Sequence, residues 1–474
     1  MVKSSAMNNN KPSSFRWVVC AMLFAATTVN YLDRQVLSLT WKDFIAPEFK
    51  WTDNDYGTIT AAFSLIYALC NLFAGKFIDW LGTKKGYLWA IFIWSLGACL
   101  HAICGVGAVK IASLAAISMT TVSVWLFLAC RAVLALGEAG NFPAAIKVTA
   151  EYFPKKDRAF STSIFNSGSS VGALAAPATI PLIAKFWGWE MSFIIIGALG
   201  FLWMGFWMWL YKKPSENARV NAAELEYINS DSDSEADTKA ASANAEGPKI
   251  SYLQAFKLRH TWSLILGRFL TDGVWWFFLF WTPGYLSDQF GYRSDSGMGM
   301  ALIITLYAIV TFVSIYLCKL PTFFVDKRGM NPYEGRMVSM FIFACFPLLA
   351  LAAQPLGAFS AWWPAILIGL ACAGHQAWSA NVYSVVGDMF PKSTIATLTG
   401  IAQFAAGCGS FMVNKSAGKL FTFAEQQGEA FAFLGYSGKP AGYMVVFCYC
   451  AVAYIIGWLC MKTLVPKYKP VTLD

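Results

Sequence analysis

The sequence predicts an all-α integral membrane protein, with twelve transmembrane helices arranged as two six-helix halves. Three observations carry this prediction: 57% of the 474 residues are hydrophobic, only 13% are charged, and the second half of the chain repeats motifs of the first. A typical soluble domain has about 25% charged residues. Twelve spans of roughly 20 residues need about 240 apolar positions, which this composition supplies. The composition excludes a secreted disulfide scaffold, a nucleic-acid-binding domain and a disordered protein.

Apolar windows, separated by charged residues or by Pro and Gly, give the candidate helices in order. The first window lacks a small-residue cleavage site and eleven more follow it, so we interpret it as a span rather than a signal peptide. The windows are 15–40, 57–79, 87–108, 120–150, 159–184, 190–211, 262–288, 297–319, 337–354, 361–388, 395–420 and 441–463.

The loops between these windows carry unequal numbers of Lys and Arg, and the net charge of the chain is +9. Because Lys and Arg collect in cytoplasmic loops, the basic loops are predicted to be cytoplasmic, with both termini on the same side. This explains the charge without a nucleic acid partner. The basic loops contain Lys84, Lys85, Lys155, Lys156, Arg158, Lys327, Arg328, Arg336 and Lys392.

A polar segment, residues 212–260, separates the sixth window from the seventh. It is rich in Ala, Ser, Asn, Asp and Glu, which is typical of a solvated linker rather than of a packed core. We therefore predict an N-terminal bundle over 1–211, a cytoplasmic linker over 212–260 that acts as a passive tether, and a C-terminal bundle over 261–474. A short helix is expected in the linker near residues 221–228.

The two halves contain an internal repeat. Glu-Tyr-Phe-Pro-Lys at 151–155 corresponds to Asp-Met-Phe-Pro-Lys at 388–392, 237 positions later. Asp79-Trp-Leu-Gly82 similarly corresponds to Asp326-Lys-Arg-Gly329. Six-helix halves repeated in parallel are typical of transporters that rock about a central substrate site. Asp79 and Asp326 are predicted to be conformational latches rather than substrate ligands.

Several motifs resemble those of known transporters. The segment from Gly75 to Lys85 resembles the loop motif of the major facilitator superfamily, although Trp80 stands where that motif usually has Arg. Asn30-Tyr-Leu-Asp-Arg34, together with Arg131 and Glu138, resembles the anion:cation symporter family. Three further segments are most similar to its bacterial hexuronate (glucuronate or galacturonate) transporters. These are Phe165-Asn-Ser-Gly-Ser169, Phe280-Trp-Thr-Pro-Gly-Tyr-Leu286 and His375-Gln-Ala-Trp-Ser379.

Ionisable residues within the predicted spans indicate a proton and anion site. Asp33 and Arg34 lie in the first span, and Arg131 and Glu138 lie seven residues apart in the fourth. Seven residues return to within about 20° of the same helix face, so Arg131 and Glu138 should share that face. A charge at the bilayer centre is costly and usually faces a cavity or a partner. The alternative is that these residues form only buried ion pairs that hold helices together.

Roles for these four residues follow from their chemistry and from the resemblance. Burial in a low-dielectric cavity favours the protonated form of a carboxyl group, which suits Glu138 to proton coupling. The resemblance implies a two-carboxylate relay, in which Asp33 is the second proton carrier. An Arg binds a carboxylate bidentately. Glu138 is expected to pair with Arg131. Arg34 is therefore the first candidate to bind the substrate carboxylate, and Arg131 is the second.

Other polar and aromatic residues within the spans suit a hydroxylated substrate. His375 is expected to be a neutral hydrogen-bonding residue that orients substrate or neighbouring helix groups, and Trp378 could pack on a sugar ring. The hydrogen-bonding candidates for substrate hydroxyls are Tyr31, Tyr67, Asn166, Ser379, Asn381 and Gln403. Arg268 and Asp272 are spaced to pair at i, i+4. We predict that they form a structural or gating pair.

The resulting hypothesis is a monomeric secondary transporter that imports a hexuronate with protons by alternating access. As the resemblance implies, it would lie in the inner membrane of a bacterium, and its partners would be a small organic anion, protons and the lipid bilayer. An alternative is the same fold carrying an aldonate such as galactonate, or another organic anion. An integral-membrane enzyme is a more remote alternative, because no catalytic motif, metal site or cofactor site is visible in the sequence.

Overall fold

The computed structural model describes residues 12–230, 250–387, 389–391 and 394–471. Almost all of this chain is helical. The helices of the first half and the linker are α1 Phe15–Thr40, α2 Ala46–Phe49, α3 Asp53–Leu81, α4 Thr83–His101, α5 Cys104–Ala115, α6 Met119–Glu138, α7 Asn141–Tyr152, α8 Lys155–Trp187, α9 Trp189–Leu210, α10 Ala222–Ile228 and α11 Tyr252–Ala255.

The second half has a similar series of helices and one short hairpin. They are α12 Arg259–Phe290, α13 Gly297–Leu317, α14 Leu320–Arg328, α15 Pro332–Cys345, α16 Ala350–Gly357, α17 Trp362–Gly387, α18 Ile395–Gln427 and α19 Lys439–Leu464. Strand β1, Ala432–Phe433, pairs antiparallel with β2, Tyr436–Ser437. Short 3₁₀ or π turns occur at Trp41–Ile45, Pro214–Glu216, Phe346–Leu349 and Gly428–Ala430.

The long helices confirm the predicted fold class. Within the described ranges, nine helical segments are long and apolar enough to cross a membrane, and α4 with α5, bent by 60°, makes a tenth. The two other long helices, α17 and α18, pack against α12 of the second half. Each of the twelve predicted windows therefore contains a long helix, and the chain is a multi-pass membrane protein.

The helix ends differ from the predicted windows for local reasons. Helix α3 begins at Asp53, four residues before its window, because Thr52 and Asp55 form a capping box that satisfies free backbone N–H groups. The window 87–108 is broken near Ala102, between α4 and α5. Helix α3 ends at Leu81 because its C-cap, Gly82, has a φ of +78°, which only Gly adopts readily.

The linker is partly anchored to the first half rather than wholly solvated. Helix α10 lies where the sequence predicts it, with Asn221 as its N-cap. Its Glu224 is fully buried and accepts hydrogen bonds from the backbone N–H groups of Phe15 and Arg16, both at 3.1 Å. Glu224 thereby caps the start of α1, where N–H groups lack helical partners. Residues 231–249 of the predicted linker lie outside the described residues.

The two halves meet mainly along α3 and α18, which run antiparallel. Gly57 permits a close approach of the two backbones, because a Cβ there would lie 2.9 Å from the Cα of Gly418. Further along, the hydroxyls of Ser64 and Ser410 are hydrogen-bonded at 2.9 Å. We call the end of the bundle at which α3 begins the Asp53 end, and the opposite end the Asp79 end.

Candidate substrate and proton site

A buried ion pair joins α1 to α6 in the first half. Arg34 donates from Nε (3.0 Å) and Nη2 (2.6 Å) to the same oxygen, Oε2 of Glu138. Arg34 is 5% exposed and Glu138 is 2% exposed. The other carboxylate oxygen, Oε1, has no hydrogen-bond partner among the described residues. Glu138 is thus half-satisfied, which leaves one oxygen available to a proton.

Three aromatic rings surround the guanidinium group of Arg34. Its Cζ lies 5.2 Å from the ring centroid of Tyr31, 4.7 Å from that of Tyr67 and 5.1 Å from that of Trp276. Cation–π contacts at these distances stabilise a desolvated cation by about 2 kcal/mol each. Tyr31 and Tyr67 belong to the first half and Trp276 belongs to α12, so the cage spans the boundary between the halves.

Arg131 and Asp33 lie beside this pair with unsatisfied polar atoms. Arg131 is 3% exposed, and within the described part of the chain its Nη1 has no hydrogen-bond partner. Its Cζ lies 5.1 Å from the ring centroid of Phe63. Both carboxylate oxygens of Asp33, which is 1% exposed, likewise have no hydrogen-bond partner there. Buried polar atoms are costly to leave unpaired, so this arrangement suits a ligand and protons.

The predicted pairing of Arg131 with Glu138 is wrong. The two residues share one helix, but Glu138 points to Arg34 of α1, and Arg131 keeps an unsatisfied donor. The reason is that one guanidinium group on α1 presents two donors to the Glu138 carboxylate, whereas Arg131 lies seven positions, about 10 Å, away along α6. Arg131 is therefore the arginine that keeps an unsatisfied donor in the described chain, whereas Arg34 is paired with Glu138.

A second polar cluster lies in the second half and confirms the predicted pairing of Arg268 with Asp272. Arg268 Nε lies 2.8 Å from Asp272 Oδ2. Arg268 also donates from Nη1 to Ser379 Oγ (2.7 Å) and from Nη2 to Gln403 Oε1 (3.3 Å). Helices α12, α17 and α18 thus bring together two predicted hydroxyl-binding residues and one predicted gating pair.

His375 lies next to this cluster on α17. Its Nδ1 lies 2.6 Å from the hydroxyl of Tyr454, which itself donates to the backbone carbonyl of Thr271 at 3.1 Å. Its Nε2 is 3.7 Å from Asp272 Oδ1, and its ring stacks on Trp275 at 5.2 Å. His375 is 4% exposed. Its hydrogen-bonding surroundings are those expected from the sequence.

Three other predicted substrate ligands are not part of either cluster. Asn166 lies on an exposed position of α8. Asn381 donates to the carbonyl of Ala377 within its own helix, at 2.9 Å. Trp378 is fully buried and packs edge-to-face on Tyr454 inside the second half. In this conformation Asn166 is exposed, Asn381 is bonded within its own helix and Trp378 lies in the core.

The predicted latches lie at the Asp79 end. Asp79 contacts Lys147 of α7, Nζ to Oδ1 at 2.7 Å, while its side chain stays 73% exposed. Asp326 lies at an exposed position of α14. An exposed ion pair contributes at most about 1 kcal/mol. Their latch role therefore stays a prediction.

A four-charge cluster at the Asp53 end was not found from the sequence. Lys439 Nζ lies 2.7 Å from Asp53 Oδ2 and 2.6 Å from Asp288 Oδ2. Lys42 Nζ lies 2.8 Å from Asp288 Oδ1 and 3.8 Å from Asp53 Oδ1. The cluster crosses between the halves, since Lys42 and Asp53 belong to the first and Asp288 and Lys439 to the second. The available signal was Lys439 at a helix N-terminus, where the helix dipole disfavours a cation.

We expect Lys439→Met to loosen the Asp53 end. The substitution leaves two carboxylates with one cation, and breaking a buried pair on one side costs about 3–5 kcal/mol. Nitroxides at exposed Leu114 and Phe359, in a cysteine-free background, report the separation of the halves by double electron–electron resonance. Lys439→Met should add a longer-distance population. Lys439→Arg and the exposed-site control Lys419→Met should keep the wild-type distribution; an unchanged distribution in Lys439→Met contradicts a gating role.

No group of three or more His, Cys, Asp or Glu suited to a metal ion occurs within the described residues. The described residues of the site offer ion pairs, hydrogen-bonding groups and the two carboxyl groups of Asp33 and Glu138. The polar groups that carry this chemistry converge on the boundary between the two halves.

Comparison with known proteins agrees with this architecture. The hexuronate transporter of Escherichia coli K12 is 28% identical over 415 residues, which cover 86% of this chain and 88% of the relative. A probable galactarate/D-glucarate transporter of the same strain is 26% identical over 453 residues, covering 95% and 97%. A crystal structure of a bacterial homologue of the human lysosomal transporter Spinster has a TM-score of 0.69 at 17% identity, covering 97% and 99%. The family model of the Major Facilitator Superfamily matches residues 23–413. The chain therefore belongs to the Major Facilitator Superfamily.

Proposed function

We propose that this protein imports a hexuronate across the bacterial inner membrane together with protons. The observation that carries the proposal is the buried group in which Arg34 is paired with Glu138 while Arg131 keeps an unsatisfied donor. The names of the two relatives, one for hexuronates and one for galactarate and glucarate, support a sugar acid as the substrate class.

Coupling follows from the charge of the first-half cluster. Two guanidinium groups and two ionised carboxylates have no net charge together, so a substrate carboxylate adds one uncompensated negative charge in a low-dielectric site. A proton on Asp33 or Glu138 cancels it. Protonation of Glu138 also removes the charge of its ion pair with Arg34 and so weakens that contact. Arg131 then binds the substrate carboxylate, and Arg34 either joins it or holds a hydroxyl group.

Transport direction follows from where the halves touch. Polar contacts between the halves include the four-charge cluster, the hydrogen bond from Tyr56 Oη to the carbonyl of Phe280 (2.8 Å), and three hydrogen bonds to the Asp43 carboxylate. All of them lie at the Asp53 end. The Lys- and Arg-rich loops favour a cytoplasmic location for the Asp79 end and for both termini. With the halves in contact at the Asp53 end and the Asp79 end in the cytoplasm, the conformation is inward-facing. In this conformation a monomer releases substrate into the cell.

Galactonate and other aldonates, or an aldarate, are the second candidate substrates. The alignment with the relative named for galactarate and glucarate covers 95% of this chain at 26% identity. This similarity supports sugar acids other than hexuronates as candidate substrates. These acids have the same terminal carboxylate as a hexuronate and differ at the opposite end, so the choice among them depends on the second half of the cavity.

The test is uptake into proteoliposomes that contain the purified protein. Labelled glucuronate should accumulate when the outside is made acidic and should equilibrate without accumulation when the two sides have equal pH. Unlabelled galacturonate, galactonate and galactarate, with glucose as the neutral control, then rank the substrates by competition. Accumulation driven by Na⁺ at equal pH, or none of these acids competing, would contradict the proposal.

We predict that His375→Gln retains proton-driven uptake with an altered apparent affinity. Gln preserves a hydrogen bond to Tyr454 but cannot carry a proton as an imidazole does. The pair of measurements is uptake under a pH gradient and counterflow exchange at equal pH. Loss of accumulation with preserved exchange would place His375 in the proton relay and overturn this assignment.

A further inference from the structure

The Arg268 cluster faces the Arg34 cage from the opposite half. Ser410 contacts Ser64 across the boundary, and Gln403 lies seven residues before Ser410, about 10 Å nearer the Asp79 end. Tyr67, against which Arg34 packs, lies three residues beyond Ser64, about 4.5 Å in the same direction. Along the bundle axis, the two clusters are therefore offset by about 6 Å. This offset is close to the end-to-end length of a six-carbon chain, whose five C–C bonds of about 1.5 Å form a zigzag.

The Arg268 cluster contains hydrogen-bonding groups and a cation, Arg268, whose charge is balanced by Asp272. Arg268 donates hydrogen bonds to Ser379 and Gln403, both half-buried, while Asp272 forms an ion pair with it, Nε to Oδ2 at 2.8 Å. The only other titratable side chains shown against Asp272 in the described chain are His375, at 3.7 Å, and through it Tyr454. With Asp272 ionised, this wall is neutral overall but rich in donors and acceptors.

That arrangement treats a hydroxyl and a carboxylate differently. A sugar hydroxyl both donates and accepts, so it can bind Ser379, Gln403 and the Arg268 guanidinium. A second carboxylate would meet a wall with no net positive charge, because Asp272 balances Arg268, so its own charge would be buried uncompensated in a low-dielectric site. Hexuronates and aldonates present hydroxyl or carbonyl groups at this end, whereas aldarates present a carboxylate.

We propose that Arg268, Ser379 and Gln403 form the subsite for the end of the sugar acid that is opposite its carboxylate, and that Asp272 makes this subsite select monocarboxylates over dicarboxylates. This proposal rests on the proposed function. It replaces the gating role expected for the Arg268–Asp272 pair with a role in specificity.

The test is the Asp272→Asn variant, which keeps the side-chain shape and removes the charge. Competition of galactarate and of glucuronate against labelled glucuronate in proteoliposomes gives a ratio of apparent affinities. Asp272→Asn should shift this ratio toward galactarate at least tenfold relative to wild type. The matched control Glu425→Gln removes an acid from an exposed position of α18 and should leave the ratio unchanged. An unchanged ratio in Asp272→Asn overturns the proposal.

Two further results separate the possible failures. If the wild-type protein transports neither acid, the proposed function itself is wrong; if it transports glucuronate and only the ratio fails to shift, the specificity role alone is wrong. Should Asp272→Asn not fold, the Arg268→Gln/Asp272→Asn double variant keeps the wall neutral. It should bind glucuronate at least tenfold more weakly, and unchanged binding in that variant overturns the subsite.

Discussion

Glu138→Gln is expected to abolish proton-driven accumulation while leaving substrate exchange intact. Gln resembles the protonated glutamate, and its oxygen can still accept from Arg34, so substrate binding should survive. One pH unit corresponds to 1.36 kcal/mol. A symporter that moves one proton with one monoanion should therefore accumulate substrate about tenfold per pH unit. The variant should reach a ratio of one under the same gradient.

Counterflow is the internal control for this variant. Vesicles preloaded with unlabelled glucuronate should take up labelled glucuronate through Glu138→Gln at equal pH, which shows that the protein is folded and can alternate. Asp33→Asn should also impair accumulation, because its two unpaired oxygens make it the second proton acceptor of the cluster. Full accumulation by Glu138→Gln would assign coupling to another residue.

Arg131→Gln is expected to cause the largest loss of substrate affinity. Truncating one partner of a buried charged contact costs about 2–5 kcal/mol. Each 1.4 kcal/mol is a factor of ten in affinity. Binding of glucuronate should therefore weaken at least tenfold, whereas Arg34→Gln should have a smaller effect because Arg34 already has Glu138 as its partner. Apparent affinities from competition experiments measure both losses.

Two comparisons test the reason for that loss. Arg131→Lys retains the charge without the planar fork of donors and should recover part of the affinity. A neutral sugar that competes weakly with glucuronate should lose little in Arg131→Gln. A larger loss in Arg34→Gln than in Arg131→Gln would restore Arg34 as the principal anion ligand. Equal losses for acid and neutral ligands would indicate a folding role.

The positions of the helices could be predicted from the sequence because burial in a bilayer imposes a strong composition signal. The pairing of Arg268 with Asp272 was also predictable, since both residues lie on one helix four positions apart. The partner of Glu138 was not predictable in this way. Helical periodicity orients Glu138 and Arg131 on α6, but the choice of Arg34 depends on where the folded bundle places α1 relative to α6.

The four-charge cluster shows the same limit more clearly. Lys42, Asp53, Asp288 and Lys439 each lie near the end of a predicted span, where single charges are usually solvated. Only the packing of α3, α12 and α19 around the π turn after α1 brings them together. The internal repeat was informative about architecture but not about chemistry. It aligns His375 with Glu138, yet the two residues have unrelated partners.

Proton movement caused by substrate tests the central claim most directly. Proteoliposomes that contain a pH-sensitive dye in an otherwise unbuffered lumen are mixed with glucuronate at equal internal and external pH. The account predicts lumenal acidification with the wild-type protein, at least one proton for each glucuronate taken up, and none with Glu138→Gln. Glucuronate entry through the wild-type protein without lumenal acidification would contradict proton symport.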